Sequence, residues 1–376
     1  MKLLALAVAL TVAACSGNGG DRGGTTTSAS PDPTSPAPTS QEPTTSPATT
    51  TPEPEYDPAT GALAGSTDCV PPDGGGATIA WEELRNPVVV TDWMAKDQAI
   101  RFVDGRWHLW YSSRQPGRGI GYQTSTDMAR WTVEPERPAV GGSPDVTRAA
   151  GGDLVMTHQV DPPPPDDPDN DDLAYRRAAT PAGLSTAVPQ PLAPGFFEDT
   201  RRIDAALAHT KWGLFLLFKR GGREQIPQIT TMLYSPSGDL DGPWQLLGEP
   251  DVGWFENYQL LTIDGRWHLL GTRIPIHVPE LWRLVGDPSD PRAWLEWEKV
   301  RDLEVPEEAW NSGGTAAGID YERANSAYLC DARAVDGHYY LFYAGSTELT
   351  SFDGRGHAKI GVARSTDLTT WTVPPS

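Results

Sequence analysis

Asp97, Asp204 and Glu256 are the residues of this chain whose type and setting could do chemistry. Each stands where an apolar run opens: Asp97 before Gln98-Ala99-Ile100, Asp204 before Ala205-Ala206-Leu207, and Glu256 just after Trp254-Phe255. One acid before a strand is ordinarily a turn or cap residue. Three acids at one repeated position are another matter, because gathered like charges raise each other's pKa and are costly unless they are used. Two carboxyls on either side of a glycosidic bond can hydrolyse it through an oxocarbenium-like transition state, one protonating the leaving oxygen while the other activates water. The third can tune the acid.

The elements that must position these acids repeat along the chain. Lys96–Ser113 reads as an apolar strand, an Asp104-Gly105 turn and a second strand of alternating aromatics, the pattern of a β-hairpin. Phe255–Arg273 and Asn325–Ser346 repeat it closely, and Arg201–Arg220 and Pro144–Gln159 repeat it loosely. A third strand comes next, then a turn opened by Ser-Thr-Asp and an outer strand starting at Trp, as in Ile120–Thr132 and Ile360–Val373. Leu173–Thr180, Thr230–Trp244 and Glu280–Trp294 are the corresponding stretches between. Units of four short antiparallel strands repeated about an axis make a β-propeller, so the expected fold is all-β with five blades. A β-sandwich is the competing architecture, disfavoured by the five-fold repeat.

Such geometry assigns faces. The Asp-Gly turns fall on the bottom of the disc, while the starts of the inner strands and the loops Arg114–Gly119, Asp161–Asp172, Gly221–Gln228, Ile274–Pro279 and Thr347–His357 gather on the top. Long irregular loops on one face are where binding is expected.

Composition narrows the partners. The 376 residues carry a formal net charge of -20, which opposes a nucleic-acid or anionic-membrane surface and favours a neutral ligand. Fourteen tryptophans suit both blade cores and stacking on sugar rings. Lys2 and the apolar run Leu3–Ala14 form an export signal over residues 1–14, too short to span a bilayer. Val12-Ala13-Ala14-Cys15 resembles a bacterial lipobox, which implies an acylated Cys15 and membrane attachment through that anchor alone. Gly, Ser, Thr and Pro dominate from Ser16 to about Thr60, so residues 15–64 are expected to be an extended tether and residues 65–376 the folded domain.

From about Asn86 onward the chain resembles the five-bladed glycosidases of glycoside hydrolase family 43, in the arabinanase, levansucrase and invertase group, with some similarity to family 62. By that resemblance Asp97 would be the base, Glu256 the acid and Asp204 the modulator of the acid. Where the family writes Asp-Pro and Glu-Gly-Pro, this chain has Asp97-Gln98, Asp204-Ala205 and Glu256-Asn257, and Asn325-Ser326 stand where a histidine is common. The resemblance implies a monomeric, extracytoplasmic, inverting hydrolase of arabinofuranose- or xylose-containing saccharides, with the two carboxyls roughly 6.5–9.5 Å apart. A raised pKa on Glu256, from Asp97 and the apolar Trp254 and Phe255, is expected of an acid. A carbohydrate-binding propeller without turnover is the alternative.

Asp92 and Trp93, just before Asp97, and Arg202, Arg273 and Asp331 are candidate substrate contacts. His158, His277 and His357 fall on top-face loops, whereas His108, His268 and His338 belong to the hairpins and should pack. The run Asp161–Asp172 is acidic but lacks the Gly and terminal Glu of a calcium loop, and no other cofactor is expected beyond a structural calcium on the axis, which related propellers sometimes hold. In an oxidising compartment Cys69 and Cys330 could form a disulfide between the blade-one entry and the last blade.

Overall fold

The computed structural model describes residues 53–375, apart from 116–117, 139, 161–171, 198–199, 222–227, 275, 313–314, 317–318, 321–323 and 348–357. The leader, Cys15, most of the tether, nearly all of Asp161–Asp172 and the loop through His357 lie outside the described residues.

Each repeat folds as one antiparallel sheet whose strands run in chain order. Blade one is β1 (Lys96–Val103), β2 (Arg106–Gln115), β3 (Arg118–Ser125) and β4 (Thr132–Val133). Blade two is β5 (Gly142–Arg148), β6 (Leu154–Gln159), β7 (Leu173–Ala178) and β8 (Gln190–Pro191), with the one-and-a-half-turn helix α1 (Pro181–Thr186) between its last two strands. Blade three is β9 (Arg202–Thr210), β10 (Gly213–Arg220), β11 (Ile229–Ser235) and β12 (Gln245–Gly248). Blade four is β13 (Phe255–Ile263), β14 (Arg266–Arg273), β15 (Val278–Leu284) and β16 (Trp297–Asp302). After a small hairpin, β17 (Thr315–Ala316) and β18 (Ile319–Asp320), comes blade five with β19 (Asn325–Ala332), β20 (His338–Gly345) and β21 (Lys359–Ser365). The inner strands touch in the order β1, β5, β9, β13, β19 and back to β1, which closes the expected five-bladed ring.

Local chemistry explains the repeat. Asp104 and Gly105 have φ of 51° and 75°, and Asp264 and Gly265 49° and 68°, the two left-handed residues a type I′ hairpin turn requires. Blade five departs here, because Asp336-Gly337 ends a helical turn, α2 (Arg333–Asp336), with Gly337 as its left-handed cap. In the Ser-Thr-Asp turns, Asp127 accepts from the amides of Ala129 and Arg130, and Asp367 from those of Thr369 and Thr370. Met128 and Leu368, at φ of 62° and 61°, place a buried side chain at the same point of both turns.

The core lies in wedges between neighbouring blades. Phe215 of blade three stacks on Trp294 of blade four at 3.8 Å between ring centroids, and Trp267 packs beside it. Side chains of this size contribute roughly 1.5–3 kcal/mol each on burial, so every blade depends on its neighbours.

The ring is fastened by the segment ahead of β1. Cys69 is disulfide-bonded to Cys330 of β19, as the sequence allows, while its carbonyl accepts from Phe102 of β1. Val89 pairs with Ile360, and the Asn86 side chain bonds both the amide and the carbonyl of Val362. Packing also starts earlier than Gly65. Ala62 pairs with Thr210, and both Ala62 and Leu63 are buried.

Candidate active site

Every inner strand carries a register shift near its start: within Lys96/Ala99, Gly142/Asp145, Glu256/Gln259 and Asn325/Ala327, and opposite Leu217/Lys219 in blade three. At each shift one residue other than glycine adopts positive φ: Asp97 (54°), Ser143 (44°), Asp204 (57°), Asn257 (56°) and Ser326 (46°). Left-handed backbone of this kind costs on the order of 1 kcal/mol or more per residue. Bulges break the two-residue alternation and re-aim side chains, and here they form one ring around the axis.

This ring corrects the sequence reading. Asp97 and Asp204 are equivalent as expected, but the equivalent residue in blade four is Asn257, and Glu256 stands one position earlier. The bulge turns what would be opposite-facing neighbours toward one cup, whose walls include Asp97, Asp204, Glu256, Asn257, Lys96 and Lys219.

The polar atoms there are closely tied. The Asn257 side-chain amide donates to Asp97 Oδ1 at 2.6 Å, and Ser143 Oγ lies 3.4 Å from Asp97 Oδ2. The backbone amide of Asp97 donates to Ser326 Oγ at 2.9 Å. Gln98, where the family writes proline, donates to the carbonyls of Ser326 and Phe342 and so stitches blade one to blade five. Lys219 Nζ, from β10, sits 2.7 Å from Glu256 Oε1 and 3.1 Å from Asp204 Oδ2. Its side chain is 1% exposed and that of Asp204 4%, whereas Glu256 at 26% stays open to the cup.

The electrostatics depend on these contacts. Burial pushes Asp97 above the usual carboxylate range, opposed by Lys96 and reinforced by Asp204 and Glu256. Glu256 goes the other way from the expectation: burial raises it, but Lys219 and Lys96 outweigh burial and bring it down to about 2. Trp254 and Phe255 do not decide the matter because a buried ammonium does.

The secondary candidates are dispersed. Met94 and Lys96 line the cup, whereas Asp92 is exposed and Trp93 half-buried on the entry loop outside it. Arg202 is fully buried and turned away, donating to the carbonyls of Ala193 and Phe196 and to the Asp172 carboxylate. Arg273 forms a two-pronged pair with Glu280 and stacks on Phe255, so it serves the blade and not Glu256. Asp331 pairs with Arg333 at the far end of β19, beside the bottom turn. His108 and His268 pack in their hairpins as expected, His158 is buried, and His277 contacts Asn325 within electrostatic reach of Glu256.

Calcium has little to bind on the axis. Beneath the ring, Asp145 shares its surroundings with the buried Arg101 guanidinium, which lowers the cost of the Asp145 charge and would repel a cation. Among the described residues no three His, Cys, Asp or Glu side chains converge as metal ligands.

A thermostable family-43 glycoside hydrolase superimposes with a TM-score of 0.53 over 78% of this chain and 96% of its own, at 14% identity. The fold is that of family-43 glycoside hydrolases. An α-L-arabinofuranosidase from Lactobacillus brevis gives 0.54 over 79% and 99% at 12% identity. A family-43 β-1,3-galactosidase with galactodeoxynojirimycin gives 0.52 over 77% and 99%, also at 12%. No protein-family model and no curated protein matches the sequence itself.

Proposed function

We propose that the chain is an inverting glycoside hydrolase acting on arabinofuranose- or xylose-containing saccharides, exported and held at the membrane surface by an acylated Cys15. One observation carries this reading: three carboxylates from separate blades reach one solvent-open cup, on backbone that is strained at the same point of every blade. In the reaction a water molecule attacks the anomeric carbon as the bond to the leaving oxygen breaks. Asp97 takes the proton of the water and Glu256 supplies the proton to the leaving group, while Asp204, sharing Lys219 with Glu256, fixes the acid in place. Product of inverted configuration and a free alcohol leave.

A second reading, a sugar-binding propeller without turnover, draws on the ionised state in which Lys219 holds Glu256. One experiment separates them. Aryl arabinofuranosides and xylosides are offered to the wild type, Asp97→Asn and Glu256→Gln, with melting curves to verify folding and NMR to identify the first anomer released. Hydrolysis with inversion, lost by at least about a thousandfold in Glu256→Gln, supports the hydrolase. Full turnover in Glu256→Gln would show the assigned roles to be wrong, and saccharide binding without turnover in all three proteins would favour the second reading.

A further inference from the structure

The five-fold repeat supplies an internal control for Lys219. In each blade one residue of the second strand lies opposite the start of the bulge: Ser112 opposite Lys96, Gln159 opposite Gly142, Lys219 opposite Ile203, Thr272 opposite Glu256 and Ala344 opposite Asn325. Four blades fill that position with a neutral side chain, so propeller geometry does not call for a cation there. Blade three buries a lysine, which is expensive unless its charge is met. Both groups that meet it are carboxylates of the cup, Asp204 at 3.1 Å and Glu256 at 2.7 Å.

We propose that Lys219 is a positioning residue of the reaction: its ammonium bridges Asp204 and Glu256, keeps Glu256 a carboxylate in the free enzyme, and thereby confines proton donation by Glu256 to acid solution. This rests on the hydrolase reading for its consequence in turnover, but not for the bridge itself. The charged groups facing Glu256 are Lys219 and Asp204 from blade three, Lys96 and Asp97 from β1, Arg201 at the wall of the cup and His277 ahead of β15. The Lys219 ammonium lies within salt-bridge distance of both carboxylates. At pH values where Asp97 and Glu256 are both ionised in the resting enzyme, the reactive form is the fraction with a proton on Glu256. That fraction falls tenfold per pH unit and rises tenfold for each unit by which Glu256 is released from its cation.

The test uses Lys219→Met, which removes the charge at similar length, and Lys219→Arg, which keeps it. For each, kcat/KM on an aryl glycoside is measured at pH 5 and pH 7, and the Glu256 carboxyl of the intact protein is titrated by carbon-13 NMR, assigned by its disappearance in Glu256→Gln. At pH 7, kcat/KM should rise at least about tenfold over wild type in Lys219→Met and stay within about threefold of wild type in Lys219→Arg. The Glu256 titration should move upward in Lys219→Met only. An unchanged Glu256 titration in folded Lys219→Met overturns the proposal whether or not the protein turns over. A shifted titration in a protein that hydrolyses nothing upholds the bridge and sinks the hydrolase reading instead.

Discussion

Asn257→Ala removes a short hydrogen bond to the proposed base. The Asn257 amide donates to Asp97 Oδ1 at 2.6 Å, whereas the Ser143 hydroxyl lies 3.4 Å from Oδ2. An amide hydrogen bond favours the charged form, and a bond to a charged group contributes about 1.5–3 kcal/mol. Asp97 is already displaced upward by burial, so losing this donor displaces it further in the same direction. A base must be ionised, hence the limb of the kcat/KM profile on which Asp97 ionises should move to higher pH. At a fixed pH on that limb, activity should fall by roughly 10- to 150-fold. The assay is kcat/KM on an aryl glycoside across pH 4–8, beside a melting curve. A uniform loss at all pH values with no movement of the limb would refute this reasoning, because it would mean that Asn257 positions something other than the Asp97 charge.

Three other perturbations have definite expected outcomes. Replacing both Cys69 and Cys330 by Ser removes a crosslink with a sequence separation of 261 residues, which on chain-entropy grounds costs up to about 5 kcal/mol in urea denaturation. A loss under about 1 kcal/mol would mean that Val89, Asn86 and their blade-five partners suffice to keep the ring shut. Arg202→Met should destabilise by about 3 kcal/mol by stranding the Ala193 and Phe196 carbonyls and the Asp172 charge, yet leave KM unaltered in the folded fraction. His158 and His209 are buried and pushed down to about 4, so stability is fully present above the ordinary histidine pKa and declines as pH falls from about 6.5 toward 4. The decline, on the order of 3 kcal/mol for each, should be smaller in His209→Gln, as read by unfolding free energy at pH 7 and pH 4.5.

The propeller was legible because Asp-Gly turns and Ser-Thr-Asp turns impose backbone angles through the residues themselves, without help from the rest of the fold. Two of the three acids shared a position for the same reason. Glu256 was placed one residue out because a bulge leaves no mark in the hydrophobic alternation that sequence reading relies on, so Asn257 did not stand out as the residue at the bulge. Lys219 stands near the end of Gly213–Arg220, and nothing local reveals that blade four brings Glu256 against it. Arg202 and Arg273 read as site residues for being basic beside acids or loops. Their real partners, the carbonyls near residue 193 and the Glu280 carboxylate, come from turns and register that only the folded chain assembles.

The clasp at Cys69, Asn86 and Val89 also orders biosynthesis. The strap is made first and used last, since its partners Cys330, Ile360 and Val362 are synthesised only with the final blade. Until then the growing molecule is an open arc with a raw strand edge at each end, the kind of surface that invites pairing with other chains. A truncation that removes the last blade would accordingly leave the opening of the chain without its partners, because Cys69, Asn86 and Val89 are all held by blade five.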